Sequence, residues 1–183
     1  MTETPSSPHV HRLALRVREI GQLFNSMDPT PFLNKDLDPE ANTFIENWAS
    51  GYRPNSRFHL TIHLERWPED GDPNKMLTEA IHNHFAYKVV QTRRALRNLL
   101  RQGRMSMAIG IVFVSLCLIA ADIIGGLGTG SGYRIARESL TIVGWVAMWR
   151  PLQIFLYDWW PLRRQIRLYL RLGSAHIQVV QGR

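Results

Sequence analysis

The sequence predicts an α-helical membrane hairpin of two transmembrane helices, with a small α+β cytoplasmic domain formed by the N-terminal region and the C-terminal tail. Three observations predict it. Residues 105–121, MSMAIGIVFVSLCLIAA, run without a single charge. A second apolar run, 139–160, follows after a short polar link. The arginines cluster just outside these runs rather than between them. The 183-residue chain carries 22 Lys and Arg against 15 Asp and Glu, a formal charge of +7. Its one cysteine, Cys117, has no intrachain partner, which excludes a disulfide scaffold.

Residues 1–8, MTETPSSP, read as a disordered tail. Residues 9–104 read as a cytoplasmic α+β domain that ends in a long basic helix. Residues 9–27 allow two readings: Leu13, Leu15 and Val17 alternate as in a strand, while Val10, Leu13, Val17, Ile20, Phe24 and Met27 follow the three-four spacing of a helix; a strand to about Val17 and then a helical piece to Met27 is the expectation. DPTPF at 28–32 is a turn. Asp38 before Pro39 is a helix start and Gly51 a stop, so 39–50 reads as a helix with Ala41, Phe44, Ile45 and Trp48 on one face. In FHLTIHLE, 58–65, Phe58, Leu60, Ile62 and Leu64 alternate with His59, Thr61, His63 and Glu65, the pattern of a half-buried strand. Asp72 before Pro73 starts a long helix that runs to about Gln102; at Gly103 it either bends or runs straight into the first span.

The first span, Met105–Leu127, would be about 34 Å long as a helix, enough for a hydrocarbon core of roughly 30 Å. Residues 128–138, GTGSGYRIARE, read as an external loop; they lack the Lys-Ser/Thr of a phosphate loop. The second span, Ser139–Trp160, is expected to kink at Pro151, which deprives the Ala147 carbonyl of its donor. It either crosses fully or turns along the surface after Pro151; a full crossing is the expectation. Residues 161–183 supply a basic amphipathic helix, 162–172, suited to a membrane surface, and a strand at 175–180 that would pair with 58–65 or 12–17.

Arg93, Arg94, Arg97, Arg101 and Arg104 precede the first span, and Arg163, Arg164, Arg167 and Arg171 follow the second. Only Arg134 and Arg137 lie between. The positive-inside rule therefore puts both termini in the cytoplasm. Tyr157, Trp159 and Trp160 are the interfacial anchors. The basic flanks imply contact with anionic lipid headgroups and do not read as a nucleic-acid footprint.

Three charged residues fall within the spans: Asp122, Arg150 and Asp158. Charge at that depth needs a partner, water or an escape to the interface. Arg150 could pair with Asp122 across the hairpin or with Asp158 two turns on. His59, His63 and Glu65 share a strand face, but a zinc site needs three or four converging ligands. No metal site, cofactor or catalytic set is expected.

The stretches DPTPFLNKDLD (28–38) and WRPLQIFLYDWWPLRRQIRLYLRL (149–172) resemble an uncharacterised family of bacterial two-span inner-membrane proteins. The resemblance extends over most of the chain. It implies a multi-pass protein of the bacterial inner membrane and brings no activity with it.

With two plain spans, a modest domain and no catalytic constellation, the expected function is a non-enzymatic membrane adaptor or scaffold. It would bind an unidentified protein or another copy of itself. The alternatives are a subunit of an oligomeric channel or transporter using Arg150, Asp122 and Asp158, and a membrane-bound enzyme using His59, His63 and Glu65.

Overall fold

The computed structural model describes residues 10–25, 27–28, 35–54, 56–68, 72–128 and 130–182. The N-terminal tail, most of the DPTPFLNKDLD stretch and the centre of the 68–73 loop lie outside them. The chain is mostly helical, with one small sheet. It divides into two compact units: residues 1–92 with 164–183, and residues 93–163.

The first unit is built on three strands: β1 (Val10–Val17), β2 (Arg57–Leu64) and β3 (His176–Gln181). They lie in the order β1-β2-β3, and both pairings are parallel. Leu13 is in register with Leu60 and Leu15 with Ile62, while Ile62 is in register with Val179. The alternation in β2 is fully expressed: Phe58, Leu60, Ile62 and Leu64 are all buried. Each such side chain contributes about 2 kcal/mol of transfer free energy, which fixes the face that β2 turns to the core.

Parallel neighbours cannot be joined by a tight turn, so each connection is long. Between β1 and β2 it contains α1 (Pro39–Ser50). The Asp38 carboxylate accepts from the amides of Glu40 (2.9 Å) and Ala41 (3.3 Å), and Pro39 takes the first helical position, where no donor is missed. Between β2 and β3 the chain runs through all the remaining helices. The start of α2 (Pro73–Leu127) gives Leu77, Ala80, Ile81, Phe85 and Val89 to the core. The end of α5 (Trp159–Leu172) gives Ile166, Leu168, Tyr169 and Leu172. The amphipathic helix read as suited to a membrane surface thus has its apolar side occupied by this core.

One further expectation is corrected here. The helical piece expected up to Met27 shrinks to one 3₁₀ turn, Ile20–Leu23, after which Phe24 bridges to Leu37. Pairing with Leu37 satisfies the backbone that a longer helix would otherwise have to satisfy. Of the two readings at Gly103, the straight run holds: α2 continues unbroken to Leu127.

The second unit holds the rest of α2, then α3 (Ser131–Ala147), α4 (Trp149–Gln153), a π-helical turn (Ile154–Asp158) and the start of α5. Helix begins at Ser131, so the link between the long helices is far shorter than the 128–138 loop the sequence suggested. Polarity alone does not stop a helix; Gly130 sets the start, its carbonyl accepting from the amides of Tyr133 (3.1 Å) and Arg134 (3.3 Å). The second run is interrupted at Met148, as Pro151 requires: it cannot donate to Ala147.

These helices meet along small residues. A methyl group on Gly103 would lie 2.8 Å from Ile154 Cγ2, and one on Gly110 3.0 Å from Met148 Sδ and 3.6 Å from Pro151 Cγ. One on Gly144 would lie 3.3 Å from Cys117 Cβ. Gly103, Gly110 and Cys117 recur every seven residues, the spacing that keeps one seam of a helix facing its partner. Along the most apolar stretch of α2 large apolar side chains are exposed, including Ile109, Val112, Leu116, Ile119 and Ile123. Pro73–Leu127 and the helical run Ser131–Leu172 are each long and apolar enough to cross a membrane, and only 17% of the most apolar stretch of each is buried. A core helix of a soluble protein would be covered.

Candidate functional site

Three constellations stand out: the charged groups of the second helical run, a polar network among the helices of the first unit, and the uncovered face of its sheet.

Arg150 pairs with Asp158, Nη1 to Oδ2 3.6 Å, and approaches Gln153 Oε1 at 3.4 Å. Residues eight apart in a regular α-helix diverge by about 80° around the axis. The π turn between them takes up an extra residue and removes most of that offset. Trp159 Nε1 donates to the Phe155 carbonyl (2.7 Å) inside the same widened turn, and its ring lies 5.4 Å from the Arg163 guanidinium. Tyr157 and Trp160 are exposed. Asp122 is exposed on α2 and has no ion pair or hydrogen bond among the described residues. Of the two partners open to Arg150, the structure therefore selects Asp158.

The polar network joins α1, α2 and α5. His84 is buried, with Nδ1 3.3 Å from the Leu37 amide and 3.0 Å from Asp36 Oδ1, and Nε2 3.2 Å from Asn42 Oδ1. One turn on, Lys88 donates to Asn42 Oδ1 (2.9 Å) and to Glu46, and its Nζ sits 5.3 Å from the centre of the Tyr169 ring. Tyr169 Oη donates to the other oxygen of Glu46 (3.2 Å). Burial, and then the nearby Lys88 charge, push the His84 pKa down from its ordinary value, against the pull of Asp36. Which ring nitrogen carries the proton sets the directions: with it on Nε2, His84 donates to Asn42 and accepts the Leu37 amide; with it on Nδ1, His84 donates to Asp36. Burial and Glu46 raise the Tyr169 hydroxyl to about 12. The arrangement holds three helices in one register. The signal for it was present as two polar pairs four residues apart, Asn42/Glu46 and His84/Lys88, on otherwise apolar faces.

The third constellation is the face of the sheet turned away from the helices. Across it the register sets Arg12 beside His59 and His176, then Ala14 beside Thr61 and Gln178, then Arg16 beside His63 and Val180. Arg12, Ala14, Arg16, His176 and Gln178 are exposed. The His59 and His176 rings meet edge to face at 4.4 Å, and His59 Nε2 is buried without a hydrogen-bond partner among the described residues. The third member of the sequence cluster, Glu65, is drawn off to Arg18 (3.9 Å). Among the described residues no three His, Cys, Asp or Glu side chains are placed to hold a metal ion. His82 instead reaches the Ala175 carbonyl through Nε2 (2.9 Å), tying α2 to the start of β3.

No protein-family model matches the chain, and neither the curated proteins nor the solved structures contain a match to it.

Proposed function

We propose that this chain is a membrane-anchored adaptor of the bacterial inner membrane, with the first unit as its cytoplasmic cap. The observation that carries the reading is the pairing of β2 with β3. Both apolar helical runs lie between these strands in sequence. Strands that share hydrogen bonds occupy one compartment, so the chain between them crosses the membrane an even number of times. With two spans, that is one full hairpin. The arginines at 93–104 and 163–171 then orient it, since both clusters belong on the cytoplasmic side. The basic flanks contact anionic headgroups. The cap presents its surface to a soluble partner or to another copy of the chain.

Membrane fractionation combined with reporter fusions tests this. A reporter active only in the periplasm should work when inserted at Gly130. One active only in the cytoplasm should work at either end. A chain that stays soluble after membranes are sedimented, or termini that report from outside, would overturn the reading.

Asp122 favours a second reading. An exposed carboxylate on an apolar helix needs a cation or water at membrane depth, and other copies of the chain around a polar path would supply either. In that case liposomes carrying the protein conduct ions, and Asp122→Asn changes the flux. Absence of conductance removes this reading.

A further inference from the structure

Parallel sheets are covered on both faces in nearly all folds, because their crossover helices pack on both sides. Here, among the described residues, the covering is one-sided. Phe58, Leu60, Ile62, Leu64, Leu13 and Ile177 are buried on the helix side, whereas Ala14, in the middle of the other face, is exposed. A methyl group there would be covered if any described segment lay over it.

This open face is cationic. Arg12, Arg16 and Arg57 project from it, and no Asp or Glu of β1, β2 or β3 does. Among the described residues none of the three arginines has an ion pair, whereas Arg18 and Arg66, just past the strand ends, are held by Glu65 and Glu19. The face is also shaped. The Arg12–His59–His176 and Arg16–His63–Val180 rows stand four residues apart along the strands, about 13 Å. Between them Ala14 and Thr61 are short on β1 and β2, and Gln178 closes the β3 end. The trough over β1 and β2 thus matches the width of a helix with its side chains, about 10–12 Å.

We propose that this face is the cap's docking surface and that its occupant is an acidic helix of a partner protein. The proposal rests on the adaptor reading and adds to it the surface and the partner's chemistry. Carboxylates along both flanks of such a helix would meet Arg12 and Arg16 on opposite walls, with small residues over Ala14. Other anionic surfaces suit the face less well. It carries no Phe, Tyr or Trp to stack a nucleic-acid base or to enter an acyl layer.

The test uses the full chain in neutral phosphatidylcholine nanodiscs and a fluorescein-labelled helical peptide of glutamate and alanine, read by anisotropy. Saturable binding is expected, weakened about tenfold by the double change Arg12→Gln/Arg16→Gln. The control Arg94→Gln/Arg97→Gln, with the same loss of charge, should change it less than twofold. Ala14→Trp fills the trough while keeping every arginine, and it too should abolish binding. Equal losses in the face and control variants, or none in either, would overturn the proposal. So would oligodeoxythymidylate or phosphatidylglycerol vesicles binding more tightly than the peptide through Arg12 and Arg16. Fractionation of the same variants separates the two readings. Lost peptide binding in a chain that still spans the membrane removes the docking surface alone; a soluble chain removes the adaptor.

Discussion

His59 and His176 stand side by side in neighbouring parallel strands, their rings 4.4 Å apart and nearly perpendicular, although both apolar helical runs separate them in sequence. The contact closes the sheet across the entire hairpin. It makes the last strand a part of the domain that the first strands begin.

Cysteines at these two positions should therefore cross-link. Cα atoms of paired residues in adjacent strands lie about 5 Å apart, within disulfide range. In a Cys117→Ser background, His59→Cys/His176→Cys is expected to oxidise within one chain and migrate faster on a non-reducing gel. Unchanged mobility under oxidation would contradict the β2–β3 pairing.

Lys88 is the hub of the polar network, so Lys88→Met should destabilise the first unit by about 2 kcal/mol. It leaves the Glu46 carboxylate, which is about three-quarters buried, without its cation. Adding Glu46→Leu should recover part of that loss, because no charge is then left unpaired. A double-mutant cycle from thermal unfolding in detergent reads the coupling; simple additivity would contradict the network.

His84 and Tyr169 make this stability depend on pH at both ends. The folded His84 pKa lies below its unfolded value, so the unfolded chain binds the extra proton first. Its contribution is full above the unfolded pKa and falls away as the pH drops through the folded one. Tyr169 behaves oppositely: raised from 10.0 to about 12, it contributes fully below pH 10 and loses that contribution as the pH climbs to 12. His84→Gln should flatten the acid limb and Tyr169→Phe the alkaline limb. Melting temperatures from pH 4 to 12 would show it.

Two glycines of α2 should respond differently to bulk. Gly110 faces Met148 and Pro151, so Gly110→Leu overpacks the seam and should cost about 1–3 kcal/mol. A side chain on Gly126 would meet nothing within 4 Å. Gly126→Leu should be neutral or raise the melting temperature, since leucine is the better helix former. Equal responses would contradict the packing of the hairpin.

Local patterns in the sequence already carried much of this. The alternation from Phe58 to Leu64, the Asp38–Pro39 helix start and the uncharged run from Met105 are properties of consecutive residues, and hydrophobic periodicity reports them directly. The sequence by itself thus determined the half-buried strand from Phe58, which helices are apolar enough to cross a membrane, and where the arginines flank them. It left open whether the chain before Val17 is strand or helix, whether Arg150 turns to Asp122 or Asp158, and whether residues 175–180 pair with the first strand or the second, and it gave the apolar side of 162–172 to a membrane surface rather than to the core. Those were decided only in three dimensions. Asn42, His84 and Tyr169 meet because three helices pack on one sheet, and Asp158 reaches Arg150 because a π turn rotates it into place. Periodicity tells which side of an element is apolar, but the neighbour against which that side packs is set by contacts between residues far apart along the chain.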